Sequence, residues 1–164
     1  MDAGLEPWDQ HARDLAARPV VMSVLAEHLS PEEYGRLDAW WDAFAEDPAM
    51  SPGALVICHH DLWQENLLVD EQGALTGVLD WALVNRSDRA HDFTALRHFG
   101  EAFTEAAIAA YRAAVGDFDD AAAGRAERSW EARDLGGLAF AVEHEDEENI
   151  LDQIRKVRAV HFGT

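Results

Sequence analysis

Residues 67–81, LLVDEQGALTGVLDW, hold two short apolar runs separated by a glycine-bearing turn. Runs this short, bounded by polar turn signals, fit two antiparallel strands better than helices. A hairpin returns the chain to the end from which it left, so the residues flanking it converge. Those residues are Asn66 and Asp80. An earlier apolar run, ALVIC (54–58), is also of strand type and leads into HHDLWQEN, which gathers His59, Asp61 and Asn66 within eight residues.

Helical patterns surround this β-element. Residues 1–19 are polar and irregular, with helical possibilities around Asp9–Ala17, and VVMSVLAEHLS (20–30) reads as a helix ending at Ser30-Pro31. Ser30 then serves as N-cap of the next helix, with Pro31 at N1 and Glu33 at N3 completing a capping box. In that helix Tyr34, Leu37, Trp41 and Phe44 recur at spacings of three and four, one apolar stripe, with Trp40 beside it facing a second partner. Asp47-Pro48 and Ser51-Pro52-Gly53 close it. Beyond Trp81, residues 82–91 read as a loop, 93–116 as one long Ala-rich helix, and 119–162 as one or two more. Gly136-Gly137 marks a bend or a close-packing point. The expected fold is mainly α with a small antiparallel β-element (α+β), one domain over residues 1–164, long enough to bury a core.

Thirty-two acidic residues against thirteen basic ones give a net charge of −19. That surface repels phosphate backbones, which argues against a nucleic-acid partner; it favours solubility and attracts cationic small molecules. No apolar stretch is long enough to cross a bilayer and the N-terminus has no basic-then-apolar signal, so no membrane partner is expected. Cys58 is the single cysteine, which rules out an intramolecular disulfide and fits a cytoplasmic location.

Asn66 offers a neutral carbonyl oxygen and Asp80 a carboxylate; with water and substrate phosphates completing the shell, this pair suits Mg²⁺. Asp61, left outside the metal shell, is free to accept a hydroxyl proton. His59 is read as structural, and Cys58 and His60 as packing residues. His91 and His98 either line one helix face as metal ligands or are ordinary helix histidines. Trp63 and Trp81 either flank the loop or pack in a core. The acidic run EHEDEEN (143–149) is a solvated helix face, or else Glu143, Glu145 and Asp146 form a wall for a cationic acceptor.

His59-x-Asp61-x-x-x-x-Asn66, then Leu-Leu-Val, a turn, and Gly77-Val78-Leu79-Asp80-Trp81 resembles the catalytic core of the aminoglycoside and macrolide phosphotransferase family. Those enzymes share the protein-kinase-like fold and are similar to choline and homoserine kinases. Asp88-Arg89-Ala90-His91-Asp92-Phe93 extends the likeness, which is strong over residues 54–100 and looser beyond. The resemblance implies a small-molecule kinase using ATP or GTP with Mg²⁺. Asp61 would orient or deprotonate the acceptor hydroxyl, and Asn66 and Asp80 would hold the metal against the nucleotide phosphates. His59 would stand with them at the nucleotide site, bracing the catalytic loop by hydrogen bonding. Asp92 would tie that loop to the helix behind it. Two positions depart from the family pattern: His60 stands where glycine is usual, and Arg89 where proline is.

A kinase of this type needs an N-terminal lobe with a glycine-bearing loop and a lysine paired to a glutamate. No G-x-G occurs here, the only lysine is Lys156, and Arg13, Arg18 and Arg36 lie in helical sequence. The expectation is therefore a C-terminal lobe without its nucleotide clamp, inactive or weak alone, completed by a separate N-terminal-lobe partner or self-associating as a homo-oligomer. Its acceptor would be a small molecule, aminoglycoside-like or related and favoured if cationic. Two other classes remain open. An HD-type metal-dependent phosphohydrolase would gather His91-Asp92 with His59, His60 and Asp80 around a transition metal. A non-catalytic kinase-like binding module would keep the same residues without turnover.

Overall fold

The capping box at Ser30 is formed. Glu33 N–H donates to Ser30 Oγ at 3.2 Å, and Ser30 N–H donates to Glu33 Oε2 at 2.8 Å. Two otherwise orphaned amides are thereby satisfied at the start of helix α2 (Pro31–Glu46). From this start the predicted stripe turns inward: Leu37, Trp41 and Phe44 are fully buried and Tyr34 packs against them. Trp40 finds its second partner by donating from Nε1 to Glu131 Oε2 at 3.3 Å. The computed structural model describes residues 5–115, 119 and 121–163.

Helix α1 (Gln10–Leu25) differs from expectation. The two predicted helical stretches are one, running through Pro19 and stopping short of the predicted end at Ser30. Proline inside a helix costs about 3 kcal/mol, because it removes a hydrogen bond and crowds the preceding turn. Burial beyond the proline offsets that cost: Val21, Met22 and Leu25 enter the core, while Pro19 itself faces solvent.

These helices belong to a compact unit made of Gln10–Ser51 and Glu131–Thr164. Its core joins the α1 and α2 residues to Ala132, Leu135 and Leu138 of helix α5 (Ala121–Glu143) and to Ile154 and Val157 of helix α6 (Glu147–Phe162). Helix α5 runs unbroken through Gly136-Gly137. Gly137 is a close-packing point, since a Cβ there would lie 2.7 Å from Gln153 Oε1. Arg158 on α6 pairs with the capping Glu33 at 2.8 Å. The acidic run between α5 and α6 is exposed except at Asn149, where Asp146 caps α6 by accepting from Asn149 N–H at 3.1 Å.

A second unit comprises Met1–Asp9 and Pro52–Trp130. It holds two two-stranded antiparallel sheets. The hairpin is as predicted: β2 (Leu67–Val69) pairs with β3 (Leu75–Val78), Leu67 opposite Val78. Asp70 organises its turn by accepting from the amides of Gln72 and Ala74 at 3.0 and 2.8 Å, with Gly73 at φ 81°. The other sheet joins β1 (Leu55–Cys58) to β4 (Asn85–Asp88), Cys58 opposite Asn85. Strand β4 lies inside the stretch expected to be a loop, because Asn-Arg-Ser-Asp has no strand propensity of its own. Its side chains fix it from outside the ladder. Ser87 Oγ donates to the Trp8 carbonyl at 3.1 Å, and Asp88 accepts from Gly53 N–H at 2.5 Å and pairs with the buried Arg125 at 2.9 Å.

The predicted long helix is broken at Gly100, whose φ of 96° only glycine adopts freely. It becomes α3 (Ala90–Leu96), a 3₁₀ turn Arg97–Phe99, and α4 (Glu101–Val115). Ala90, Phe93 and Ile108 pack with Ala122 and Ala126 at the start of α5, forming a small core of their own. No described helix is long and apolar enough to cross a membrane.

Candidate active site

The loop between β1 and β2 is held by Asp92, in the first turn of α3. Its Oδ2 accepts the amide of His59 at 3.0 Å and its Oδ1 the amide of His60 at 2.9 Å. Both carboxylate oxygens are thus committed to backbone, which is the tie expected of this residue. His60 sits at φ 70°, a left-handed conformation that costs a non-glycine residue roughly 1–2 kcal/mol. The two bonds from Asp92 hold the chain in that conformation.

His59 is almost fully buried and both its ring nitrogens are engaged. Nδ1 accepts the amide of Asp61 at 3.2 Å. Nε2 must therefore carry the proton, and it donates to the Leu79 carbonyl at 2.8 Å. One ring thus links the amide of Asp61 to the carbonyl of Leu79, the residue preceding Asp80. The indole of Trp81 stands edge-on to it, with centroids 4.6 Å apart.

Asp61 and Asn66 meet directly. Asn66 Nδ2 donates to the Asp61 carboxylate at 2.7 Å and to its carbonyl at 2.9 Å. The carboxamide orientation is thereby set, and Oδ1 of Asn66 has no hydrogen-bond partner among the described residues. Asp80 is reached through the backbone: Leu79 N–H donates to the Asn66 carbonyl at 2.8 Å, continuing the hairpin ladder one step past β3. Asp80 itself has φ 55°, and its Oδ1 accepts a long 3.4 Å bond from Ala82 N–H. Aspartate tolerates this left-handed position better than most residues because its side chain can bond the backbone two residues on. The Asp80 carboxylate is exposed, while Asp61 and Asn66 are half-buried.

These residues fit a hard divalent cation. Two oxygen groups, the free carbonyl of Asn66 and the exposed carboxylate of Asp80, flank one hairpin, and the Asp80 carboxylate is engaged through only a long 3.4 Å bond from Ala82 N–H. Mg²⁺ is commonly held by one or two protein oxygens plus water and phosphate. A transition-metal centre is not assembled. Among the described residues no group of three or more His, Cys, Asp or Glu could hold a metal ion. Asp92 is occupied by backbone amides, and His98 lies between Trp63 and Trp130, with ring centroids 3.8 and 4.8 Å away. The phosphohydrolase reading loses its ligand set.

Trp63 and Trp81 are not core residues; 36% and 52% of their surfaces are exposed, one within the loop and the other after Asp80. Cys58 is buried and its thiol is pushed up to about 12, first by burial and then by the charges of Asp92 and Asp88. His91 stacks obliquely on His60, with centroids 4.1 Å apart, and burial drives its pKa down to about 3, helped by the neighbouring His60. This pair is the part of the site that sequence reasoning missed. A histidine at the usual glycine position was its signal.

The described residues thus hold a histidine-braced loop carrying Asp61 and Asn66, a hairpin, and a left-handed Asp80 followed by Trp81. Residues 2–151 match the model of the phosphotransferase enzyme family (APH), and the chain belongs to that family. A Bacillus subtilis (strain 168) protein, YcbJ, of uncharacterised function, is 35% identical over 77 residues, covering 46% of this chain and 25% of its own. Among solved structures, the GDP and kanamycin complex of APH(2″)-IIIa superposes with a TM-score of 0.80 at 21% identity, over 96% of this chain and 54% of that one. Macrolide 2′-phosphotransferase type I gives 0.70 at 21% identity, over 95% and 51%. MphH of Brachybacterium faecium gives 0.65 at 22% identity, over 98% and 52%. The chain spans about half the length of these structures and a quarter of YcbJ.

Proposed function

We propose that this chain is the catalytic lobe of a nucleotide-dependent phosphotransferase that moves a phosphoryl group to a hydroxyl of a small molecule. The observation that carries this reading is the Asn66–Asp61 bond at 2.7 Å, which fixes the carboxylate and leaves the amide oxygen free, while the Asn66 carbonyl bonds the amide of Leu79, the residue before Asp80. Asp61 acts as the base or orienting group for the acceptor hydroxyl. Asn66 and Asp80 hold Mg²⁺, which when bound neutralises charge on the nucleotide phosphates. His59 keeps its place at the nucleotide site as a brace, since neither ring nitrogen is free for a ligand.

Related folds support the substrate side. APH(2″)-IIIa was solved with GDP and kanamycin, a second relative with gentamicin and a third with ADP. The nucleotide is accordingly ATP or GTP and the acceptor aminoglycoside-like or macrolide-like, with the net charge of −19 favouring a cationic one. The phosphate-covering lysine and glycine loop come from polypeptide outside these 164 residues. Leu68, Val69, Leu75 and Leu83, exposed on and after the hairpin, give such a cover an apolar surface to meet.

The test follows labelled γ-phosphoryl from ATP and GTP to kanamycin and to a macrolide. It uses the lobe alone and the lobe mixed with the strand-rich half of a related enzyme. Transfer by the mixture, little by the lobe, and a loss of about 10²–10⁴-fold in Asp61→Asn are expected. Brisk transfer by the lobe alone, or full activity in Asp61→Asn, contradicts the proposal.

A further inference from the structure

The His60–His91 contact is unusual for its surroundings. His60 Nδ1 and Nε2 and His91 Nδ1 are all enclosed without a hydrogen-bond partner, as is Asn85 Oδ1 on β4. The two rings lie 4.1 Å apart at 42°, and the indole of Trp8 stands edge-on to His60 at 5.5 Å. An imidazolium presents two N–H donors and needs acceptors for both. The enclosed Asn85 Oδ1 offers His60 one acceptor, fewer than its imidazolium needs, so the enclosure favours the rings as neutral groups.

These rings adjoin the backbone that carries the proposed catalytic base. His60 lies between His59 and Asp61, and its amide is bonded to Asp92, which follows His91. The loop is thus attached to α3 twice, through amides to a carboxylate and through ring to ring.

We propose that His60 and His91 form a positioning pair: two neutral imidazoles in contact that seat the loop bearing Asp61 and release it when the pair takes up a proton. The proposal rests on the phosphotransferase reading for the meaning of Asp61, but its test does not depend on phosphoryl transfer.

The groups facing the pair decide the sign. For His60, burial disfavours the charged form first; Asp92 on α3 and Asn85 on β4 favour it, and His59 in the same loop opposes it. For His91, burial and then His60 both disfavour the charge. Trp8 carries none. Both rings are therefore weaker bases in the seated loop than in an open one, so the open state binds more protons as pH falls below the ordinary histidine value. Opening becomes easier by up to about tenfold per pH unit for each histidine released.

Amide exchange of His59, His60 and Asp61, corrected for the intrinsic rate, tests this between about pH 6 and about pH 4.5, where histidine ordinarily titrates. Ile108 and Ala126 serve as references for opening of the surrounding core. The loop amides should lose protection faster with falling pH than the references do. His91→Phe should flatten that dependence, and the double variant His60→Gly/His91→Phe should remove it. A double variant with the wild-type slope overturns the proposal, since His59 would then carry the effect. Should the variants not fold, the ring resonances of the unaltered protein decide. His91 silent across this range, while the loop amides open, supports the pair. His91 titrating near its ordinary value in a loop that stays protected overturns it.

Discussion

His59 donates from Nε2 to the Leu79 carbonyl at 2.8 Å, one residue before Asp80. The same ring accepts the Asp61 amide through Nδ1. His59→Phe keeps a planar ring but leaves both backbone groups without partners. Each unmade bond to an enclosed group costs about 1–3 kcal/mol. Urea denaturation should show a loss of that size or up to twice it, and a variant as stable as the parent would contradict the bracing role.

The Cys58 thiol should be inert in the native protein. With its pKa raised to about 12, the reactive thiolate is scarce at neutral pH and grows about tenfold with each unit of rising pH. Alkylation by iodoacetamide near pH 8, followed by mass spectrometry, should proceed only as fast as the protein opens. Rapid stoichiometric labelling without denaturant would show that the thiol is not enclosed.

A side chain at Gly53 would disturb an ion pair. A Cβ there would stand 2.7 Å from both Arg125 Nη2 and Asp119 Oδ2, which are held in an ion pair at 2.9 Å. Gly53→Ala must displace one of them and strain the bond from Gly53 N–H to Asp88. A loss of about 1–3 kcal/mol in chemical denaturation is expected. Gly137→Ala meets only the end of the Gln153 side chain, which can swing aside, and should cost less.

Ser30→Ala removes one arm of the capping box and should destabilise the protein by about 1 kcal/mol, read from the denaturation midpoint. Ser30→Gly should cost only a few tenths. A Ser30→Ala variant as stable as the parent would mean that the hydroxyl bond contributes little.

Local signals in the sequence were reliable where one short segment carried its own instructions. The capping box, the α2 stripe and the hairpin across Gly73 all formed as their residues dictate. The Asp92 tie was legible too, through family likeness. Distant partners hid the rest. Strand β4 has polar residues and depends on Trp8, Gly53 and Arg125, all remote in sequence. Helix α1 crosses Pro19 because its buried face continues beyond it. The single expected core is divided between two units, each with its own cluster, a division that apolar spacing cannot express. Within the site, His60 was read as a packing residue; its pairing with His91 required the fold that brings β1 to α3.

The central claim is that Asn66 and Asp80 form one oxygen site for a phosphate-bound divalent ion beside Asp61. Paramagnetic broadening of amide resonances by substoichiometric Mn²⁺ with ADP tests it most directly, because it locates the ion without requiring turnover. The account predicts that residues 61–68 and 79–82 broaden first, and that Asn66→Ala/Asp80→Asn abolishes the effect. Broadening that centres on the acidic run 143–149, or that survives unchanged in the double variant, would contradict it.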